Sequence, residues 1–240
     1  MKNNPSVTVI IPFKSNLEYL FISLKSAINQ NYENFKIIIV YDNEDKSDLF
    51  KIKKHIKNKN KNKSQFISII VNNQNLGAGY SRNKAIKKIN TKYIAFLDAD
   101  DLWKKNKLKA QISFMQKNNY VFTHTSYYMI NKIGHLISSR KAKSIITFEE
   151  LLRSCDIGLS TVILETNFIK KNKYYFPKIK TKEDFVLWLK ILKNTKLVNG
   201  LDMKLTYYRK TKNSLSSSKF TSLIFDISAC LSAAKSKFII

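Results

Sequence analysis

Tyr93-Ile-Ala-Phe-Leu-Asp-Ala-Asp-Asp101 is the stretch on which the reading of this chain turns. Its first five residues are apolar and rich in β-formers, the pattern of a strand buried in a sheet. The strand delivers three carboxylates, Asp98, Asp100 and Asp101, to its C-terminal end. Open α/β sheets bind their ligands at that end. Carboxylates crowded in this way repel one another unless a cation or a donor-rich ligand lies among them. Mg2+ and Mn2+ suit the site, because they take one or two carboxylates and share their other positions with a substrate's phosphates. A helix N-terminus is the competing reading, with Asp100 or Asp101 as the cap. A cap needs one acid, and here there are three.

Upstream, Val7-Thr-Val-Ile-Ile11 is a nearly continuous β-branched run, as expected of a strand buried on both faces, and Pro12 is expected to stop it. Leu17, Leu20, Leu24, Ala27 and Ile28 recur at helical spacing and predict a helix over residues 17–29. Residues 35–40 form a second buried strand that ends on Tyr41-Asp42-Asn43, followed by a polar helix and a lysine-rich loop. A third strand spans residues 67–71, and a turn rich in glycine and asparagine spans 72–79. Ser81 is the expected N-cap of a helix over residues 82–89. After the acids, Leu108, Ile112 and Met115 share one helical face. This alternation predicts an α/β fold with a mostly parallel central sheet, right-handed crossovers and flanking helices.

Beyond residue 118 the pattern changes. Residues 120–130 read as an aromatic strand and 131–134 as a turn. Thr147 is expected to cap a helix over 148–153, with a short strand at 160–164, a helix over 183–192 carrying Trp188, and a strand near 204–208. The tail, residues 218–240, is expected to be helical and amphipathic, packing on the domain, a partner or a membrane face.

A chain of 240 residues buries a substantial core without disulfides. Cys155 and Cys230 are far apart and form no metal-knuckle spacing, which suits a reducing, cytoplasmic compartment. The start of the chain predicts no signal peptide, and no apolar run approaches 18 residues. The net charge of +26 invites a nucleic-acid partner, yet 39 of the 43 basic residues are lysine. Arginine is the usual reader of base edges, and only Arg82, Arg140, Arg153 and Arg209 are present, so no nucleic-acid partner is expected. Lysines at 51–63 read as solvated surface, though a basic face could hold the protein against anionic headgroups on the inner face of the plasma membrane. His55, His124 and His135 have no spacing that suggests a metal site or triad.

Six segments in order carry a resemblance: Val7-Thr-Val-Ile-Ile-Pro-Phe13, Ile37-Ile-Ile-Val-Tyr-Asp42, Asn75-Leu-Gly-Ala-Gly-Tyr-Ser-Arg-Asn83, Phe96-Leu-Asp-Ala-Asp-Asp-Leu-Trp103, Lys182-Glu-Asp-Phe-Val-Leu-Trp188, and Tyr208-Arg209 with Ser214-Leu-Ser216. The chain resembles the family 2 glycosyltransferases. The resemblance implies a single GT-A domain over residues 5–217, with a nucleotide-sugar-binding half over 5–101 and an acceptor half over 102–217. It implies an inverting, metal-dependent transfer from a nucleoside-diphosphate sugar, UDP above all, to a cell-surface polysaccharide or lipid-linked acceptor.

The resemblance also assigns roles. Asp42 would hydrogen-bond the nucleobase, with Pro12 and Phe13 beside it. Arg82 would lie near the nucleotide and the acidic strand end, at a helix start that offers free N–H groups to anions. Asp98 would meet the ribose or a neighbouring donor group, while Asp100, with Asp101, would hold Mn2+ or Mg2+ on the diphosphate. Asp184 would be the general base, with Glu183 as the alternative base or its orienter. Arg209 and Ser214 would close over the diphosphate, and Ser160 and Thr161 could face the acceptor. The chain departs from the family pattern at Lys14, Tyr41, Asn43 and Lys84. Those departures keep open a relative that binds nucleotide sugar without turnover. A basic nucleic-acid-binding module is the third reading.

Overall fold

The computed structural model describes residues 4–59 and 66–210. In chain order the elements are β1 (Val7–Phe13), α1 (Leu17–Ile28), β2 (Phe35–Tyr41), α2 (Ser47–Lys59), β3 (Ile67–Val71), α3 (Ala78–Lys88), β4 (Tyr93–Phe96) and β5 (Leu102–Trp103). They continue with α4 (Lys107–Asn118), β6 (Phe122–Ile130), β7 (Leu136–Arg140), β8 (Ile145–Thr147), α5 (Phe148–Arg153), β9 (Ile163–Glu165), α6 (Thr166–Lys171), α7 (Glu183–Thr195) and β10 (Leu197–Arg209). The ten strands among the described residues belong to one sheet, in the order β3-β2-β1-β4-β9-β6-β10-β5, with β7 added to β6 and β8 to β10.

The β3-β2-β1-β4 part is parallel, as the β-α-β alternation requires. Beyond β4 the sheet is mixed: β9 runs antiparallel between β4 and β6, and β10 lies parallel to β6. The C-terminal ends of β1, β2 and β4 therefore share one rim with the acids that follow β4.

Every residue of β1 is buried, which accounts for its unbroken apolar sequence. Pro12 does not stop the strand; it pairs with Val40 and the strand runs on to Phe13. The Ile10 carbonyl accepts from Leu97 and the Phe13 carbonyl accepts from Asp42. Carbonyls and N–H groups alternate sides along a strand, so the missing N–H of Pro12 faces β4 beyond that strand's last pair. The proline costs no ladder bond there.

Two apolar cores form, one on each face of the sheet. On one face α1 buries Leu20, Leu24, Ala27 and Ile28. Its start is fixed by Asn16, whose side chain accepts from the Tyr19 N–H. On the other face α7 buries Phe185, Leu187, Trp188, Leu189, Ile191 and Leu192. Trp188 is fully buried among Phe96, Phe122 and Phe176, which makes it a core residue. Truncating such a residue to alanine costs about 3–5 kcal/mol.

Several boundaries differ from the sequence reading. Helix α3 begins at Ala78 behind Gly77, whose φ of 89° suits glycine, so Ser81 lies inside the helix and caps nothing. Helix α4 begins at Lys107 after Asn106, so neither Asp100 nor Asp101 is its cap. Residues 159–161 form a 3-10 turn ahead of β9. Thr147 does cap α5, in a reciprocal capping box with Glu150. No helix among the described residues is long and apolar enough to cross a membrane. Ser214, Cys230 and the 218–240 tail lie outside the described residues.

Candidate active site

The rim is organised by a polar network anchored on Asp42 at the end of β2. Asp42 is 3% exposed and its two oxygens are engaged. Oδ1 accepts from Asn72 Nδ2 (2.8 Å) and the Leu76 N–H (2.9 Å), and Oδ2 accepts from the Gly77 N–H (2.8 Å). The carboxylate expected to hydrogen-bond a nucleobase pins the turn that leads into α3. The anion at the N-terminus of α3 is this side chain, where backbone N–H groups and the helix dipole favour negative charge. Asn72 is fixed in turn by Ser81 Oγ and by Lys84, whose Nζ donates to Asn72 Oδ1 (2.8 Å) and to the Val71 carbonyl (3.0 Å). Lys84, a departure with no evident reason in the sequence, is thus the residue that orients the Asn72 amide towards Asp42. Pro12 and Phe13 are buried beside this turn, with the Phe13 ring 5.8 Å from that of Tyr41.

The next cluster joins two segments far apart in the chain. Arg82 is 3% exposed on α3 and donates through Nη2 to Asp98 Oδ1 and through Nη1 to Glu183 Oε1, both at 2.7 Å. Its guanidinium lies 5.3 Å from the centre of the Phe176 ring. Burial works against the charge of Arg82, but Asp98 and Glu183 outweigh it and raise the pKa. Arg82, expected near the nucleotide and the acidic strand end, pairs with two carboxylates and links the acids after β4 to the start of α7. Gly79 permits the approach: a Cβ there would lie 3.0 Å from Glu183 Cγ and 3.3 Å from Phe176 Cβ.

Asp98 is held at its backbone as well, its N–H donating to Ser160 Oγ (3.0 Å) and its carbonyl accepting from Ser23 Oγ (3.1 Å). Ser160 and Thr161, expected near an acceptor, are buried at 1% exposure; Ser160 braces the acidic turn, while the Thr161 hydroxyl donates to the Gly158 carbonyl (2.6 Å). Burial, followed by the charge of Asp98, pushes the Asp100 carboxyl up to about 6. Asp101 is 1% exposed and is raised well above the ordinary carboxylate range, by burial first and then by Asp100 and Asp98. Its Oδ1 accepts from the Arg209 N–H (2.8 Å), while its buried Oδ2 has no hydrogen bond.

Arg209 closes this side. Its Nε donates to the Asp100 carbonyl (2.9 Å), its Nη1 to the carbonyls of Asn131 (3.1 Å) and Lys132 (2.7 Å), and its guanidinium stacks 4.6 Å from the Tyr19 ring. Expected to contact phosphate, it is 5% exposed and ties the end of β10 to the acidic turn.

Asp184 opens α7 beside Glu183. Its carboxyl is pushed up to about 6 by burial first and by Glu183 next, with Arg82 pulling the other way. Asp184 also raises the Cys155 thiol, after burial, to about 12, which places the loop after α5 next to the same carboxylate.

The donor set suits a hard divalent cation. Asp100 and Asp101 are oxygen ligands whose raised pKa values report charge that a cation would relieve, and Asp101 Oδ2 is a buried acceptor without a donor. No three His, Cys, Asp or Glu side chains among the described residues converge as a ready-made ligand set. One or two carboxylates from the protein is the number an ion shared with phosphates requires.

Residues 8–175 match the family description Glycosyl transferase family 2. The chain belongs to that family. This family 2 glycosyl transferase is 34% identical over 221 residues to the Escherichia coli UDP-Glc:alpha-D-GlcNAc-diphosphoundecaprenol beta-1,3-glucosyltransferase WfgD, a match covering 90% of this chain and 82% of WfgD. Its fold is shared with Staphylococcus aureus TarS 1-349 in complex with UDP-GlcNAc, at a TM-score of 0.73 and 21% identity over 92% of this chain and 66% of that one. It is shared also with the Pyrobaculum calidifontis mannosyltransferase PcManGT in complex with GDP-Man and Mn2+, at 0.67 and 12% identity over 89% and 59%. The chain thus spans less than two thirds of the length of both solved structures.

Asn72 escaped the sequence reading as part of this site, being an ordinary residue until the fold brings it to Asp42. Lys84 left a signal only as a departure from the family pattern, Gly79 lay in a segment of the resemblance with no role assigned, and Ser160 was expected near an acceptor rather than on the Asp98 backbone.

Proposed function

We propose that this family 2 glycosyl transferase is an inverting enzyme that moves a sugar from a UDP-sugar to a lipid-linked saccharide on the way to a cell-surface polysaccharide. The observation that carries the reading is the Arg82 clamp, which gathers Asp98 from the acidic turn and Glu183 from the start of α7 around one guanidinium. The resemblance to WfgD, named for UDP-Glc and a diphosphoundecaprenol acceptor, supports the donor and acceptor classes. Residues 5–101 would form the donor half and residues 102–217 the acceptor half.

The turn pinned by Asp42 shapes the base-binding rim, with Pro12 and Phe13 as its floor. Asp98, oriented by Arg82, receives the ribose or a neighbouring donor group. Asp100 and Asp101 hold Mn2+ or Mg2+, which when bound neutralises charge on the diphosphate. Asp184 takes the proton of the acceptor hydroxyl as that oxygen bonds to the anomeric carbon. The bond from that carbon to the diphosphate oxygen breaks as the new one forms, and the nucleoside diphosphate leaves on the opposite face. One displacement inverts the anomeric centre. Glu183, paired to Arg82, keeps a negative charge beside Asp184 and so maintains its basicity. The Mn2+-bound state of PcManGT supports a metal in this fold.

The test is release of UDP from UDP-glucose and other UDP-sugars with and without Mn2+, repeated with Asp100→Ala. Metal-dependent release by the wild type and its loss in the variant are expected. Binding of donor without any release, with or without a diphosphate-lipid saccharide, would make the chain a non-catalytic relative instead.

A further inference from the structure

The turn between β6 and β7 holds an apolar tip in water. Ile133 is 76% exposed, Leu136 62% and Ile137 53%. The tip is braced: Asn131 Oδ1 accepts from the N–H groups of Ile133 (3.1 Å) and His135 (2.9 Å), and the Asn131 carbonyl accepts from Gly134 (3.1 Å). Gly134 takes the left-handed φ of 93° that the turn needs. At the base, the Lys132 carbonyl accepts from Arg209 Nη1 (2.7 Å) and from the Tyr19 hydroxyl (3.1 Å). A rigid turn cannot fold its apolar side chains back onto the domain, so they stay presented.

The surroundings are basic. No Asp or Glu occurs over residues 102–148, a stretch that carries eight lysines, Lys107 among them buried, and Arg140; the acids that other segments bring near are Asp156, paired with Arg140, and Asp202, paired with Lys141. Beside β7, Tyr128 pairs with Ser139 and stacks on Tyr207 at 5.3 Å between centroids. Lys104 and Lys204 lie 4.9 and 5.3 Å from the Tyr128 ring centre. Apolar side chains at a tip, with tyrosine and lysine behind them, match the layered polarity of a bilayer surface.

We infer that the β6–β7 hairpin docks this enzyme on an anionic phospholipid bilayer, with Ile133, Leu136 and Ile137 at the boundary between headgroups and acyl chains. Lys132 and the Lys104–Lys204 cluster meet the headgroup phosphates. A second copy pairing along the exposed edge of β7 would cover the same apolar side chains, but it would set two surfaces richer in lysine than in acids against each other, Asp156 and Asp202 being paired with Arg140 and Lys141. An anionic surface complements them. Because Arg209 joins the hairpin base to the Asp100 carbonyl and the Asp101 carboxylate, docking here fixes the acidic turn close to the lipid surface. The inference rests on the lipid-linked acceptor of the proposed function only for why a membrane is near.

The test is co-sedimentation of the full chain with vesicles of phosphatidylcholine alone and of equal parts phosphatidylcholine and phosphatidylglycerol. Binding to the anionic vesicles, weakened by salt, is expected. Ile133→Ser/Leu136→Ser/Ile137→Ser lowers it by roughly tenfold or more, and Lys132→Ser by about fivefold. UDP-sugar hydrolysis stays at the wild-type rate in both variants. Where the triple variant melts early, Ile133→Ser alone is read in its place. Wild-type indifference to anionic vesicles, or triple-variant binding equal to wild type, overturns the inference. A dimer in size-exclusion chromatography that the triple variant abolishes, without vesicle binding, assigns the surface to a second copy. The vesicles contain no saccharide acceptor, so failure here leaves the acceptor reading standing. A failed transfer assay leaves the vesicle result standing.

Discussion

Arg82 and Glu183, 101 positions apart in the chain, meet in a 2.7 Å ion pair that joins α3 to the start of α7. The same guanidinium holds Asp98, so one side chain sets the spacing between the acidic turn and the residue beside the proposed base. Removing it leaves two partly buried carboxylates facing each other without a cation.

Arg82→Gln is expected to cost about 3 kcal/mol of stability and to lower kcat more than it raises the donor KM. Chemical denaturation gives the first quantity, and steady-state transfer assays give the second. Loss of donor affinity with kcat intact would show that Arg82 serves the nucleotide directly, contrary to the assignment made from its contacts.

Lys84→Met tests the other clamp. The variant keeps the length and apolar stem of the side chain but loses the ammonium that orients Asn72. About 1 kcal/mol of stability is expected to go with it, together with roughly a fivefold rise in donor KM if a loss of that size falls on donor binding. The kcat should stay near wild type, because Lys84 contacts none of the acids after β4. A fall in kcat at unchanged KM would mean that the Asp42 turn serves the chemical step.

Much of the parallel half was legible because β1 and β4 are buried throughout and β2 along most of its length, so these strands leave nearly unbroken apolar runs. Val7 to Ile11 and Ile37 to Val40 are examples. The order of the site residues along the rim was legible for the same reason, since acids after β4 can only sit at the strand ends. What those residues touch was not. Asp42, Arg82 and Arg209 look like free functional groups in a sequence, yet each is satisfied by atoms at least 16 positions away, Asp98 beside Arg82 being the nearest in the chain. The start of α3 was misplaced because Ser81 has the chemistry of a cap while Gly77 has the backbone. The antiparallel insertion of β9 rests on pairing with β4 and β6, which no local pattern encodes.

Gly79→Ala probes how closely α3 must approach α7. The added methyl would lie 3.0 Å from Glu183 Cγ, near the root of a side chain whose far end is held by Arg82. Overpacking of this kind costs about 1–3 kcal/mol. Activity should fall further than stability predicts, since the displaced residue is next to Asp184. A variant with wild-type kcat, measured at a temperature where it is fully folded, would show that Glu183 has room to move without consequence.

Asp184 carries the last prediction. Burial and the neighbouring Glu183 push its carboxyl up to about 6, so the base is ionised only above that pH. Transfer at saturating Mn2+ should rise through pH 6 and level off, and Asp184→Asn should abolish transfer while donor binding survives. Stability moves the other way. Between the ordinary value of 3.8 and about 6 the folded chain retains a proton that the unfolded chain has lost. The contribution is present below the lower value and disappears as pH rises through the upper one. At pH 7 the ionised group is therefore a burden of about 3 kcal/mol, which asparagine, a mimic of the protonated acid, does not carry. Metal-free Asp184→Asn should be more stable than wild type at pH 7 and indistinguishable from it near pH 4, in thermal melts at both pH values. Equal stability at pH 7 would mean that the carboxylate is not strained by its surroundings, and the base would then be sought at Glu183.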